Sequence, residues 1–400
     1  MIVEPVLRRA VCVTAHPDGC AERVRQAIDQ VKVLGTFNGP ARVLVIGSSA
    51  GLGLSTRIAA AFGGGASTIG VCLERPGTPG RTGTAGWYNS AALEEELAAS
   101  GHFGRTVIGD AFADRTKAET VSLIRSTLGQ VDLVVYSLAA PTRTDPVTGH
   151  VHRSSIKTIG TPYTDKSFDA DTGEVRVATM PAATDPEIAQ TVAVMGGDDW
   201  ARWITALQDG DVLAPGADTV AFTYVGGEFL AETYRLGTLG RAKEHLEATA
   251  RLLDDRLTGT GGRAHAVAAR ALITQASRVM PFPALYTLLL SKVTRDRGLA
   301  ENLVDQAHRL LAGFLYGPGP LRTDEERRIR LDDRELLPEV QADLRRRWEL
   351  VDSSNLALLG DLDGYLRESL ALHGFGVPGV DYLAETDPVR DIPGVVDATT

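Results

Sequence analysis

A tyrosine and a lysine, Tyr234 and Lys243, stand nine positions apart in the stretch TYRLGTLGRAK (233–243). A phenol is a candidate proton donor and an ammonium is a compact cation with three donors, so the two types together could do acid–base chemistry. The lysine draws notice because only six of the 41 basic residues are Lys, the rest being Arg. On one regular helix, nine residues at about 100° each would leave the two side chains on opposite faces. Gly237 and Gly240 lie between them; both disfavour a helix interior and allow a break that brings Lys243 round to Tyr234. With nine Tyr and six Lys in the chain, this spacing alone does not establish a pair.

A second candidate is the loop IGSSAGLGL, in which Gly47, Gly51 and Gly53 are interleaved with Ser48, Ser49, Ala50 and Leu52. It follows the β-branched run RVLVIG and precedes STRIAAAF, which has helical spacing, and then STIGVCLE, a second apolar run. Residues 42–73 therefore read strand, loop, helix, strand, a unit that implies two parallel strands and a right-handed crossover. Glycine lets backbone N–H groups approach a diphosphate, and the helix N-terminus adds partial positive charge. The spacing differs from G-x-G-x-x-G, so the dinucleotide reading rests on the loop's place in this unit. Leu73 and Glu74 end the second strand. A carboxylate there can accept hydrogen bonds from the adenosine ribose and repels a 2′-phosphate, favouring NADH over NADPH, although Arg75 beside it softens that preference. The alternative for Glu74 is a solvent-facing strand end.

Two more strands, in GRTVIGDAF (104–112) and VDLVVYSLAA (131–140), flank the helical DRTKAETVSLIRSTLG. Asp110 and Ala111 end the third strand, where they would meet the adenine; Leu138 and Ala139 end the fourth and would line the nicotinamide ribose. The alternation predicts the α/β class: a Rossmann-like doubly wound parallel sheet with helices on both faces, in one elaborated domain spanning 1–400. From about 146 to 220 the pattern breaks into a hairpin around Asp171-Thr172-Gly173 and helical material, an insertion on the substrate side. DTVAFTYVG (218–226) resumes the strand pattern, 228–255 is helical apart from its glycines, and about 284–373 is mostly helical. The charged TDEERRIRLDDRELL reads as a solvated helical face.

The net charge of -10 disfavours nucleic acid or an anionic membrane as partner. Cys12, Cys20 and Cys72 form no paired framework and show no metal spacing. None of the eight histidines forms a metal or triad set; His152 and His245 near the motifs read as structural. Trp87, Trp200 and Trp203 read as core or lid packing. No run approaches about 18 apolar residues, and Glu4 and Arg8 interrupt the first segment where a signal peptide would be apolar, so a cytoplasmic protein is expected.

GSSAGLGLSTRIAAAFGGGASTIGVCLERP, GTAGWYNSAA, VDLVVYSLAAPTRTDPVTG, VMGGDDWARWI and YRLGTLGRAKEHLEATA occur in this order, followed by ALITQASRVMP and RIRLDD. Across nearly the whole chain they resemble the trans-2-enoyl-CoA (enoyl-ACP) reductases of the FabV type, in which Tyr and Lys are separated as here; the short-chain dehydrogenases separate them by four. The resemblance implies NADH-dependent reduction of the carbon–carbon double bond of an enoyl thioester, on CoA or acyl carrier protein, by a monomer. It implies that Tyr234 is the catalytic acid, that Lys243 holds the nicotinamide ribose and lowers the tyrosine pKa, and that Tyr224 contacts the acyl thioester. It also implies that Leu272, Ile273 and Thr274 close over the nicotinamide carboxamide. Ala50 and Leu52 depart from the family's usual Thr and Tyr, Arg270 stands where a lysine is expected, and GGEF after Tyr224 replaces a Gly-Pro pair; these changes bear on cofactor placement and on the acyl group accepted. Two other readings stay open: a carbonyl reductase, with Ser137 as the extra donor, and a catalytically silent dinucleotide sensor.

Overall fold

The structure, a computed structural model, describes residues 1–8, 11–170, 172–274 and 281–399. Four apolar runs form β1 (Arg42–Ile46), β2 (Ser67–Cys72), β3 (Gly104–Ile108) and β4 (Val131–Tyr136). With β5 (Leu213–Thr223), β6 (Arg263–Ala268), β7 (Ile329–Arg330) and β8 (Val396–Asp397) they build one sheet in the order 7-6-5-4-1-2-3-8, every neighbouring pair parallel. The sheet is buried on both faces, and the alternation along β1 divides two cores. Val43 and Val45 join α1 (Pro17–Leu34), α2 (Gly51–Ile58) and α3 (Ala85–Ala99) on one side. Leu44 and Ile46 face α4 (Asp114–Thr127) on the other. Beyond α5 (Asp185–Met195), α6 (Asp198–Asp209) and α7 (Thr238–Leu257) complete that second core. From β1 the chain moves outward through β2 and β3, then returns to place β4 on the opposite flank of β1. This reversal makes the ends of β1 and β4 a switch point, beyond which such sheets bind ligands.

The insertion contains the expected hairpin, Tyr163–Asp169 against Glu174–Met180. Asp171 lies outside the described residues, and Gly173 turns the chain at φ +74°. The hairpin is fastened to the C-terminal helices. Lys166 Nζ donates to the carbonyls of Trp348 (2.9 Å), Glu349 (2.9 Å) and Val351 (3.0 Å) at the end of helix Pro338–Leu350. Ser353 Oγ bridges the Val175 N–H and carbonyl. Phe168, Tyr234, Leu239, Tyr286, Trp348 and Tyr365 fill a third core between hairpin, α8 (Pro281–Asp296) and these helices.

Three sequence expectations need correction. β5 begins at Leu213, ahead of the expected Asp218, with an irregularity between the two, and it ends at Thr223, leaving Tyr224 in a loop. Residues 228–255 are not one interrupted helix: a short 3₁₀ turn at Glu228–Leu230 leads through turns to Gly237, and α7 starts at Thr238. TDEERRIRLDDRELL is not a solvated helical face. It carries β7, and Ile329, Leu331, Asp332 and Glu335 are all buried. Charge count suggested solvent, but the apolar residues at 329 and 331 anchor the segment to the sheet edge.

Candidate active site

The glycine loop sits at the sheet's reversal. A Cβ on Gly47, which lies at φ +85°, would stand 2.2 Å from the Ser137 carbonyl oxygen, and one on Gly53 would stand 2.0 Å from that of Gly47. Both positions are closed to any side chain. Gly51, at φ +57°, differs: nothing lies within 4 Å of where its Cβ would be, so its backbone faces open space. Ala50 is the N-cap of α2 and has no side-chain oxygen, so among the described residues no side chain caps that helix start. First-turn N–H groups are thereby left for an anion, and the loop fits a diphosphate. Leu52 is half-buried in the first turn.

Ser48 Oγ donates to the Val71 carbonyl (3.3 Å) and Ser49 Oγ to Glu74 Oε1 (2.6 Å). Asn89 Nδ2 donates to the Ser49 carbonyl (2.9 Å), and Gly86 leaves room for the Glu74 carboxylate, which an added Cβ would meet at 2.0 Å. Burial pushes the Glu74 carboxyl up, while the Ser49 and Thr84 hydroxyls and the Arg75 charge pull it down. Leu73 is 63% exposed beside it. Asp110 Oδ1 accepts the Phe112 N–H (3.0 Å) and Ala111 is buried. Leu138 packs on Gly47, and Ala139 is exposed. Ser137, the donor in the carbonyl-reductase reading, has its Cβ against the glycine loop, 3.2 Å from the position of a Gly53 Cβ.

Beside the ends of β3 and β4 lies a buried network that sequence reasoning missed. Lys117 Nζ donates to the carbonyls of Ala111 (2.8 Å) and Phe112 (3.0 Å) and to Asp199 Oδ1 (2.8 Å). Trp203 Nε1 adds a bond to Ala111 O (3.0 Å), and Tyr136 OH donates to Asp199 Oδ2 (3.2 Å). The turn after β3 and the end of β4 are thus locked together. A signal was present: Lys117 falls in register with Thr120, Val121 and Ile124 on the buried stripe of α4.

Tyr234 lies in the turn before α7, and Lys243 lies in its second turn. Gly237 is the N-cap, and the Gly240 N–H donates back to the Tyr234 carbonyl (2.9 Å). A Cβ on Gly240 would stand 1.9 Å from the Arg235 carbonyl oxygen, so only glycine lets the turn fold back on the helix. The insertion clamps the same point: the Thr238 N–H donates to Lys157 O (2.9 Å) and Thr238 Oγ1 to Ser155 O (2.5 Å). The bent path inferred from the two glycines is therefore a helix start and not a kink. Lys243 Nζ donates to Phe222 O at the end of β5 (3.2 Å). Two residues on, the ring of Tyr224 meets that of Tyr234 edge to face, centroids 4.7 Å apart. One turn below Lys243, Glu247 accepts Thr223 Oγ1 (3.1 Å), both Arg235 Nη atoms (2.9 and 3.0 Å) and Arg328 Nη1 (3.2 Å). It ties the residues flanking both tyrosines to α7; breaking such a buried pair leaves an uncompensated charge at about 3–5 kcal/mol.

Burial lowers the Lys243 ammonium pKa to about 8, with Glu247 opposing. Burial, with Glu247, pushes the Tyr234 phenol up, and the cation that opposes this is Arg235.

Tyr224 OH donates to Glu335 Oε1 (2.7 Å). After β6, Ala271 N–H donates to Glu335 Oε2 (2.6 Å), and Leu272, Ile273 and Thr274 continue half-buried. Residues 275–280 of ALITQASRVMP lie outside the described residues. Arg270 is buried, with Nη2 on Thr294 Oγ1 (3.2 Å). His245 Nδ1 accepts the Gly197 N–H (3.0 Å), a structural role. Trp87 Nε1 donates to the Arg390 carbonyl (2.7 Å) and Trp200 Nε1 to Thr219 Oγ1 (2.8 Å). Among the described residues no group of three or more His, Cys, Asp or Glu could hold a metal ion. The three cysteines are free and buried, and burial pushes the Cys20 and Cys72 thiols up to about 12.

Sheet order, glycine loop and acidic strand end define a dinucleotide-binding α/β oxidoreductase. Residues 81–316 match the family described as the trans-2-enoyl-CoA reductase catalytic region, and residues 2–79 match its NAD(P)H binding domain. Residues 323–386 match a domain described as the enoyl reductase FAD binding domain, although the similar proteins below name NADH or NAD. The enoyl-(acyl-carrier-protein) reductase (NADH) of Opitutus terrae is 49% identical over 389 residues, 97% of this chain and 99% of that protein. That of Pseudomonas paraeruginosa is 47% identical over 399 residues, the whole of both chains. The crystal structure of Clostridium acetobutulicum trans-2-enoyl-CoA reductase with NADH superposes with a TM-score of 0.95 at 38% identity, covering 98% of this chain and 100% of that one. The Treponema denticola trans-2-enoyl-CoA reductase with NAD gives 0.93 at 42%, covering 98% and 99%. The chain belongs to the trans-2-enoyl-CoA reductase family.

Proposed function

We propose that this chain reduces the carbon–carbon double bond of a trans-2-enoyl thioester, carried on CoA or on acyl carrier protein, with NADH, giving the saturated acyl thioester. The observation that carries the reading is the convergence at the end of β5, where Lys243 meets Phe222 O and Tyr224 packs on Tyr234.

Gly47, Ser48, Ser49, Ala50, Gly51, Leu52 and Gly53 hold the diphosphate through backbone N–H groups. Glu74 and Leu73 take the adenosine ribose, Asp110 and Ala111 the adenine, and Leu138 and Ala139 the nicotinamide ribose. Leu272, Ile273 and Thr274 cover the carboxamide. NADH, when bound, supplies the hydride. Hydride addition at the β-carbon would leave negative charge on the thioester oxygen, where the Tyr234 hydroxyl stabilises it by hydrogen bond, and the proton that Tyr234 gives up completes the saturated acyl group at the α-carbon. Lys243 holds the ribose hydroxyls; its three rotatable donors suit two adjacent hydroxyls better than a planar guanidinium does. Tyr224 lies against the acyl group.

We read the chain as a cytoplasmic monomer and as one elaborated domain built on a single eight-stranded sheet. Its resemblance to the family supports the monomer, and among the described residues no helix is long and apolar enough to cross a membrane. The test is to mix protein, NADH and enoyl thioesters of increasing length, on CoA and on acyl carrier protein, and follow absorbance and product. NADH binding without oxidation at any length would favour a sensor, and oxidation with a ketone but no enoyl thioester would favour a carbonyl reductase. In the same assay Glu74→Ala should lower the NADH-to-NADPH preference about tenfold or more, the worth of a charge-assisted hydrogen bond. An unaltered ratio would remove Glu74 from the ribose.

A further inference from the structure

Glu335 is fully buried, and three donors converge on its carboxylate. Tyr224 OH (2.7 Å) and Tyr286 OH (2.8 Å) both reach Oε1, and the Ala271 N–H reaches Oε2 (2.6 Å). Gln341 Nε2 donates to Tyr286 OH (3.2 Å) and to the Glu335 carbonyl (2.8 Å), so each hydrogen bond in the cluster runs towards residue 335. The buried Arg270 guanidinium acts on it through charge. A hydroxyl has one proton. That of Tyr224 is committed to Glu335, so Tyr224 can offer the acyl side only its ring and its lone pairs.

We propose that Glu335 is a positioning residue for the reduction. It takes the Tyr224 hydrogen bond and so fixes that ring at right angles to Tyr234, and through Ala271 it ties the segment leading to Leu272–Thr274 to the same point. Proton donation is left to Tyr234 alone. This rests on the reading that Tyr224 lies against the acyl group. The Ala271 N–H can only donate, whereas a phenol can turn to accept, so a carboxamide at position 335 keeps its oxygen on Ala271 and turns its NH2 to the phenols, and the bond that Tyr224 donates is lost.

The test is a double-mutant cycle on kcat/KM for an enoyl-CoA with Glu335→Gln, Tyr224→Phe and the pair. Each single substitution should lower kcat/KM about tenfold, and the pair should fall no more than about twofold below the worse single, because both remove the same bond. A purely structural Glu335 would give losses that multiply, which overturns the proposal. So would full activity of Glu335→Gln beside an impaired Tyr224→Phe. Wild-type activity of Tyr224→Phe would instead sink the acyl-side reading of Tyr224. Should Glu335→Gln fail to fold, Glu335→Asp, one methylene too short to reach all three donors, replaces it in the cycle: losses that overlap with those of Tyr224→Phe support the proposal, and losses that multiply overturn it.

Discussion

Tyr234→Phe should lower kcat for enoyl reduction by about a thousandfold or more while the Kd for NADH stays within about threefold. The substitution removes one oxygen and leaves the ring to pack on Tyr224 and in the third core, so the turn that carries it is undisturbed. The phenol is 6% exposed, and burial with Glu247 pushes it up, so it is fully protonated through the neutral range and has a proton to give. The loss falls on the chemical step because the hydroxyl matters most when charge develops on the thioester oxygen. Rapid-mixing measurement of NADH oxidation, with binding followed by fluorescence, checks both numbers. Turnover near wild type would transfer the acid role to another group.

Lys243→Met should weaken NADH binding about tenfold and lower kcat/KM about a hundredfold, since it removes the charge and all three donors but keeps the length of the side chain. The wild-type protein should show the same dependence on pH. With the ammonium brought from 10.5 to about 8 by burial, it is charged below that pH and neutral above it. NADH affinity of the free protein should therefore fall as pH rises through about 8, and the Met variant should show no such step. Stability moves the other way. Between the folded and unfolded pKa the unfolded chain binds more protons at this group, so Lys243 contributes stability that rises with pH across that interval. A wild-type NADH Kd that is flat across pH 8 would place the ammonium away from the ribose.

The sheet was legible because each of β1 to β4 carries a short stretch of mostly apolar and β-branched residues between turn signals, and the glycine loop directly follows β1. The Tyr–Lys pair was legible in spacing but not in path. Gly240 was expected to break a helix; instead it allows close backbone contact, a steric fact about the Arg235 carbonyl that no pattern displays. What stayed hidden depends on long-range burial. Glu335 sits in a run so charged that composition points to solvent, and only the placement of Ile329 and Leu331 in the core carries it inward. Lys117 and Asp199 are two charges separated by 82 positions, invisible as a pair until helices α4 and α6 share one face of the sheet. Charges satisfied by remote partners look, in a sequence, like charges satisfied by water.

The Lys166 bridge bears on how the chain can be recombined with its relatives. Because one ammonium on the hairpin satisfies three carbonyls at the end of helix Pro338–Leu350, the inserted hairpin and the C-terminal helices form one unit from two stretches far apart in the chain. A chimera that grafts the hairpin from a relative without its matching C-terminal helix would strand those acceptors. Swapping the two segments together keeps the seam intact, so the pair is the natural unit of recombination.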